Sequence, residues 1–142
     1  SESLQDALVL AANAARRQGK TMISTRDLFA ALRRLNTDRL GEFFDRMPAG
    51  ALPEPTSDDI EMDSAAIGAI SQLSGCVRDS FNHLVPNKRA DTKVSTEDVF
   101  IDIARHGTGA SVTRLRTNGI GAREVNDIVR QLGWSVIDRA PG

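Results

Sequence analysis

The chain has 142 residues, of which 40% are hydrophobic and 26% charged, enough length and apolar content to bury a core of its own. A formal net charge of −1 excludes a bulk electrostatic pull toward nucleic acid or anionic membrane. One cysteine, Cys76, excludes an internal disulfide framework and suits a reducing, cytoplasmic setting.

The first helix is expected at residues 4–18, where Leu4, Ala7, Leu8, Ala11 and Ala15 keep the i, i+3, i+4 spacing of one stripe. Arg16 and Arg17 suit its last turn, and Gly19 is its stop. A second helix starts at Ser24/Thr25 and turns Leu28, Ala31, Leu32 and Leu35 inward. A short third one presents Leu40, Phe43, Phe44 and Met47 on one face. Pro48, Gly50, Pro53 and Pro55 then break regular structure, and Ser57, Asp58, Asp59, Glu61 and Asp63 make an acidic, solvated linker.

The second half begins near Asp63. Ile67, Ile70, Leu73, Val77, Phe81 and Leu84 recur about one turn apart and predict one long amphipathic helix. Residues 86–93 form a polar, basic insertion. A further helix starts at Ser95/Thr96 and stops near Gly107; Val112 and Leu115 lie on the next, and Val125, Ile128, Val129 and Leu132 on the last, which ends at Gly133 with Trp134 packing that end down. There is no run of about 18 apolar residues and no basic-then-apolar leader, so neither a membrane span nor a signal peptide is expected. The first residue is Ser1, which fits a fragment of a longer protein.

Two of these helix starts say nearly the same thing. Residues 23–32, ISTRDLFAAL, return as residues 94–103, VSTEDVFIDI, with Ser24, Thr25, Asp27 and Phe29 matched by Ser95, Thr96, Asp98 and Phe100 at one constant offset. Each is a helix start with a mechanism. The serine accepts from orphan N–H groups of the first turn, and the aspartate three places on reaches back to the cap and complements the helix dipole. Two copies at equivalent places imply a tandem duplication. The expected architecture is all-α: a roughly four-helix motif repeated about a pseudo-two-fold axis, in a single domain over residues 1–142, with repeat one at about 3–50, a linker at about 48–63 and repeat two at about 64–134.

Candidate chemistry is sparse. Gly19, Lys20 and Thr21 spell the tail of a phosphate-binding loop, but Ala14 stands where the loop needs glycine, and the order is helix then loop. His83 and His106 have no ligand-spaced partners, so no metal or other cofactor is expected. Neither Ser74 nor Ser111 sits in a nucleophile elbow, and Cys76 reads as a buried structural thiol. Residues 112–134 have a helix-turn-helix layout with Arg114, Arg116, Arg123 and Arg130 where phosphates would lie, which makes nucleic-acid binding the alternative function. The duplication alone generates the same layout.

The order of these elements resembles the amino-terminal repeat domain of the Clp family of protein-unfolding ATPases, most like the ClpA type. The likeness spans roughly residues 3–133. It is carried by AANAARRQGKTMISTRDLFAAL in the first half and by KVSTEDVFIDIARHGTGASVTRLRTNGIGAREVNDIV in the second. The family pattern has a Thr-Glu-His helix start; here Asp27 and Asp98 replace the histidine, and the glutamate persists only as Glu97, with Arg26 in the first half. The resemblance implies a non-catalytic module that binds adaptors or unfolded and tagged substrates and hands them to a Clp ATPase ring or peptidase. No ATPase motif lies in this chain, so the ring belongs to the parent protein, or the chain is a stand-alone regulatory homologue. Some members hold arginine-modified substrates at the helix-start glutamates. Glu97 matches that position, whereas Arg26 would repel a guanidinium, so such a site is single. The expected protein-binding surface is the groove between the halves around Arg26, Asp27, Glu97 and Asp98.

Overall fold

The computed structural model describes residues 2–36, 38–69, 72–87 and 93–137, and within them the chain is all-α apart from two strands of two residues each. Helix α1 (Glu2–Arg17) buries Leu4, Ala7, Leu10, Ala11, Ala12, Ala14 and Ala15. Alanines on several faces let neighbours approach from more than one side, so α1 contributes to both apolar clusters of the molecule. Its end is a glycine stop: Gly19 takes φ +73, its N–H donates to Arg16 O, and Lys20 N donates to Ala15 O at 2.9 Å.

Strand β1 (Met22–Ile23) leads into α2 (Thr25–Leu35) and α3 (Asp38–Asp45). Then come α4 (Ala65–Ala69), β2 (Gln72–Leu73), α5 (Gly75–Asn87), α6 (Thr96–His106), α7 (Ala110–Thr117) and α8 (Ala122–Leu132). β1 and β2 pair in parallel, Met22 with Gln72 and Ile23 with Leu73, and Ser74 N donates to Ile23 O at 2.8 Å.

The single long helix expected from Ile67 to Leu84 is not formed. The segment divides into α4, β2 and α5; Ile67 is exposed, Ile70 lies outside the described residues, and only Val77, Phe81 and Leu84 continue the stripe. Gly68 and Gly75 are weak helix formers on either side of the break, and the extended Leu73 gains a strand partner in Ile23. α5 itself runs through Pro86 to Asn87; residues 88–92 of the basic insertion lie outside the described residues.

The acidic side chains after α3 are exposed as expected, but their backbone is docked. Ala51, Leu52, Pro53, Thr56 and Ile60 are buried. Thr56 N donates to Ala30 O, Arg33 donates to Pro53 O at 2.7 Å, and Arg34 donates to the carbonyls of Ser57 and Ile60, both at 2.9 Å. Prolines remove regular structure without removing the need to bury apolar groups, and the arginines of α2 satisfy the carbonyls that no helix or sheet takes up.

The centre of the molecule is aromatic. Phe100 of α6 meets Phe29 of α2 at 5.0 Å between ring centroids, and Phe43 and Phe44 of α3 at 5.4 and 5.2 Å. Trp134 does pack the end of α8 down, as its place after Gly133 predicts. It lies 5.6 Å from Phe43, with the Arg39 guanidinium 5.1 Å above its ring. Cys76 is half-buried rather than fully enclosed, with its Sγ close to Gly107.

Candidate functional site

The starts of α2 and α6 are assembled from the same parts. Ser24 and Ser95 have extended backbone, which frees each side chain to turn toward the first helical turn. Ser24 Oγ accepts from Asp27 N at 3.1 Å, while Asp27 Oδ2 accepts from Ser24 N at 3.1 Å and Ser24 Oγ at 2.8 Å. At the second start Ser95 Oγ accepts from Asp98 N at 3.2 Å, and Asp98 Oδ2 accepts from Ser95 N at 2.9 Å and Ser95 Oγ at 2.8 Å. Both aspartates are 5% exposed, so each buried carboxylate has a defined hydrogen-bonding duty.

The two starts differ beyond the cap. Lys20 Nζ reaches Asp27 Oδ2 at 2.9 Å, while Asp98 Oδ1 accepts the backbone N–H of Ile137 at 2.8 Å. Arg26 is exposed; Glu97 is buried and accepts from its neighbour Thr96 Oγ1 at 3.3 Å. Glu97 is therefore no free carboxylate standing in solvent.

Arg26 and Asp27 share a cleft of about 480 Å³ between the end of α1, the start of α2 and the docked linker, lined also by Lys20, Glu54 and Thr56. Arg26 borders a second cleft of about 410 Å³, where the starts of α2, α5 and α7 converge. That second cleft includes Thr108 and Gly109, the residues that follow the end of α6. The start of α2 thus lies beside the finish of α6. Glu97 and Asp98 stand at the other end of that helix, about 15 Å away at 1.5 Å rise per residue. The structure joins Arg26 with Asp27 and Glu97 with Asp98, as two places rather than one groove wall.

Sequence reasoning did not single out Thr56, Glu54 or the segment that carries Ile137. Lys20 entered only as part of the GKT string. The usable signal for the segment after α8 is its apolar content just past a glycine stop, Trp134, Val136 and Ile137, which needs burial against the rest of the molecule.

A third opening, about 470 Å³, lies between α1 and the linker, among Asn13, Arg16, Arg17, Asp59, Glu61 and Asp63. Arg17 pairs with Asp59 there at 2.8 Å, and Ser57 donates its hydroxyl to the same carboxylate. The Ser57 hydrogen bond first, and the Arg17 guanidinium second, hold the Asp59 carboxyl below its ordinary value. Among the described residues no group of three or more His, Cys, Asp or Glu side chains is placed to hold a metal ion. Within those residues, too, no helix is long and apolar enough to cross a membrane.

Residues 112–134 do form helix, turn and helix, yet their arginines are mostly engaged with the protein itself. Arg114 donates to Gly50 O, Arg116 donates to Ile120 O at 2.9 Å and to Arg105 O at 3.3 Å, and Arg130 pairs with Asp127. All four arginines stay on the surface, but these bonds tie three of the guanidinium groups to carbonyls and a carboxylate of the chain itself. Comparison with protein families, curated proteins and solved structures finds no match.

Proposed function

We propose that this chain is a non-catalytic protein-binding module of the Clp type, which recruits adaptors or substrates to a cytoplasmic ATP-dependent unfoldase or protease. One observation carries the reading: two helices of 11 residues each, α2 and α6, open with the same Ser–Asp capping box and meet through Phe29 and Phe100 at the centre of an all-α fold. That supports the repeated layout which the sequence resembles. Of the expected surface, the part at Arg26 and Asp27 borders open clefts, and Arg26 is exposed enough to meet a partner.

The test is capture from the source cell's lysate with the intact chain as bait, beside a bait in which Arg26 and Glu97 are both changed to Ala. Recovery of a Clp ATPase subunit, its adaptor or its peptidase supports the reading. Nucleic acid with its usual companions, or nothing above background, overturns it.

A further inference from the structure

We propose that the cleft at the start of α2 binds an extended polypeptide segment bearing a carboxylate, with Asp27, Thr56 and Arg26 as its three contacts. The protein-recognition reading above supplies only the premise that the partner is a polypeptide; the contacts come from the geometry.

The second half of the molecule displays the interaction already made. Asp98 spends Oδ2 on its helix cap and Oδ1 on the backbone N–H of Ile137, which belongs to the segment after α8, outside any helix or strand. Asp27 spends Oδ2 in the same way, with Lys20 added, while its Oδ1 has no partner among the described residues and the side chain borders the 480 Å³ cleft. A carboxylate oxygen that takes a backbone N–H at one start is therefore without a partner among the described residues at the other, although both aspartates are equally buried.

Thr56 gives an independent pointer. It lines the same cleft and is 9% exposed, and its Oγ1 is buried with no hydrogen-bond partner. Nearly all buried hydroxyls in folded proteins are paired, so one left over on a cleft wall matches a ligand group that is absent from the free protein. A turn of the Thr56 side chain toward the cleft brings this enclosed hydroxyl to a peptide carbonyl, while the adjoining N–H donates to Asp27. Acceptor and donor are the two groups that every residue of an extended chain offers.

Charge sets the rest. Arg26 is exposed and has no ion pair among the described residues, whereas Arg17 and Lys20 are already paired with Asp59 and Asp27. Glu54 lines the cleft as well and repels a carboxylate from its own side, which leaves the Arg26 end for the ligand's negative charge. A guanidinium offers a planar fork suited to a carboxylate.

The probe is a peptide Trp-Ser-Val-Ile-Asp, the chain's own sequence 134–138, labelled with fluorescein at its N-terminus and amidated at its C-terminus so that the Asp side chain is the peptide's one carboxylate, titrated into the purified protein and read by anisotropy. Arg26→Gln is expected to weaken binding about tenfold, as for loss of one charged hydrogen-bonded contact. Thr56→Val is expected to weaken it severalfold with a melting temperature that is unchanged or raised, because in the free protein that buried hydroxyl makes no bond. A peptide ending in Asn should bind as weakly to the unaltered protein as the Asp peptide binds to Arg26→Gln, and combining both changes should add little. Absence of saturable binding, or binding indifferent to both substitutions, overturns the proposal. So does binding that responds only to Asp98→Asn, since the peptide would then be replacing residues 134–137. Cleft-dependent peptide binding with no Clp component captured upholds this site and removes the Clp reading. Capture of a Clp component without any peptide binding does the reverse.

Discussion

At the start of α2 the aspartate that closes the cap borders a cleft and keeps one carboxylate oxygen unpartnered among the described residues, and at the start of α6 the equivalent oxygen accepts Ile137 N from the segment after α8. The sequence motif is the same in both places; what differs is the distant segment laid over it. A capping box satisfies the first turn of its own helix and leaves one carboxylate oxygen for a longer-range partner. In α6 that oxygen ties the molecule together. In α2 it is available, and the linker docked through Arg33 and Arg34 forms the opposite wall of the cleft instead of a lid.

Breaking the junction between the two starts should have the largest effect. Phe100 is fully buried and touches Phe29, Phe43 and Phe44, so Phe100→Ala removes the ring common to three aromatic contacts. A loss of about 3–5 kcal/mol in urea unfolding is expected, enough to threaten the fold of a domain of ordinary stability. A loss below about 1 kcal/mol would mean that the halves are held elsewhere, for instance through β1 and β2.

The caps sharpen the comparison at smaller scale. Asp27→Ala removes one capping box and leaves the partly exposed Lys20 without its partner, a loss of about 1 kcal/mol. Asp98→Ala removes the matching box and also the acceptor for Ile137 N, for about 2 kcal/mol in all. It should loosen residues 134–137 as well. Trp134 is the only tryptophan, so its fluorescence emission should shift to the red in Asp98→Ala and stay put in Asp27→Ala. Equal losses and equal spectra would show that the segment after α8 does not depend on Asp98.

What the sequence made legible follows the range of the interactions. The caps at Ser24 and Ser95 and the glycine stop at Gly19 are decided within one or two turns, and the structure reproduces each of them where the residues imply it. The long helix from Ile67 to Leu84 was misleading because Leu73 falls in phase with the stripe. Its actual partner, Ile23, lies 50 positions back, and no local pattern announces a parallel pair of two residues. Of the candidate site, Arg26 and Asp27 were visible as helix-start residues. Thr56 was not, because its placement depends on Arg34 gathering the linker carbonyls and on Thr56 N finding Ala30 O. The distance between the two starts was equally hidden: identical motifs suggested one shared surface, and the position of Arg26 beside Thr108 and Gly109 separates it from Glu97 by the length of α6.

The smallest expected effect concerns the linker that replaces a lid in the first half. Asp59 fastens it to α1 through Arg17, with the Ser57 hydroxyl as a local donor, and its carboxyl is held below the ordinary value. A depressed folded-state pKa means that the contribution is present above the ordinary carboxylate range and is lost as pH falls through the lowered value. Both partners are more than half exposed, so water and salt screen the pair, and its effect on global stability should be slight. The informative measurement is the titration of the Asp59 carboxyl by NMR. In Ser57→Ala the midpoint should rise toward the ordinary value because the largest single influence is lost, and in Arg17→Ala it should rise as well because a hydrogen bond and a coulombic attraction are lost together. A midpoint that moves only in Ser57→Ala would show that the turn's own hydroxyl, and not the bridge to α1, sets the state of Asp59; a midpoint that moves in Arg17→Ala and approaches the ordinary value with added salt would show that the bridge fastens the linker to the helix.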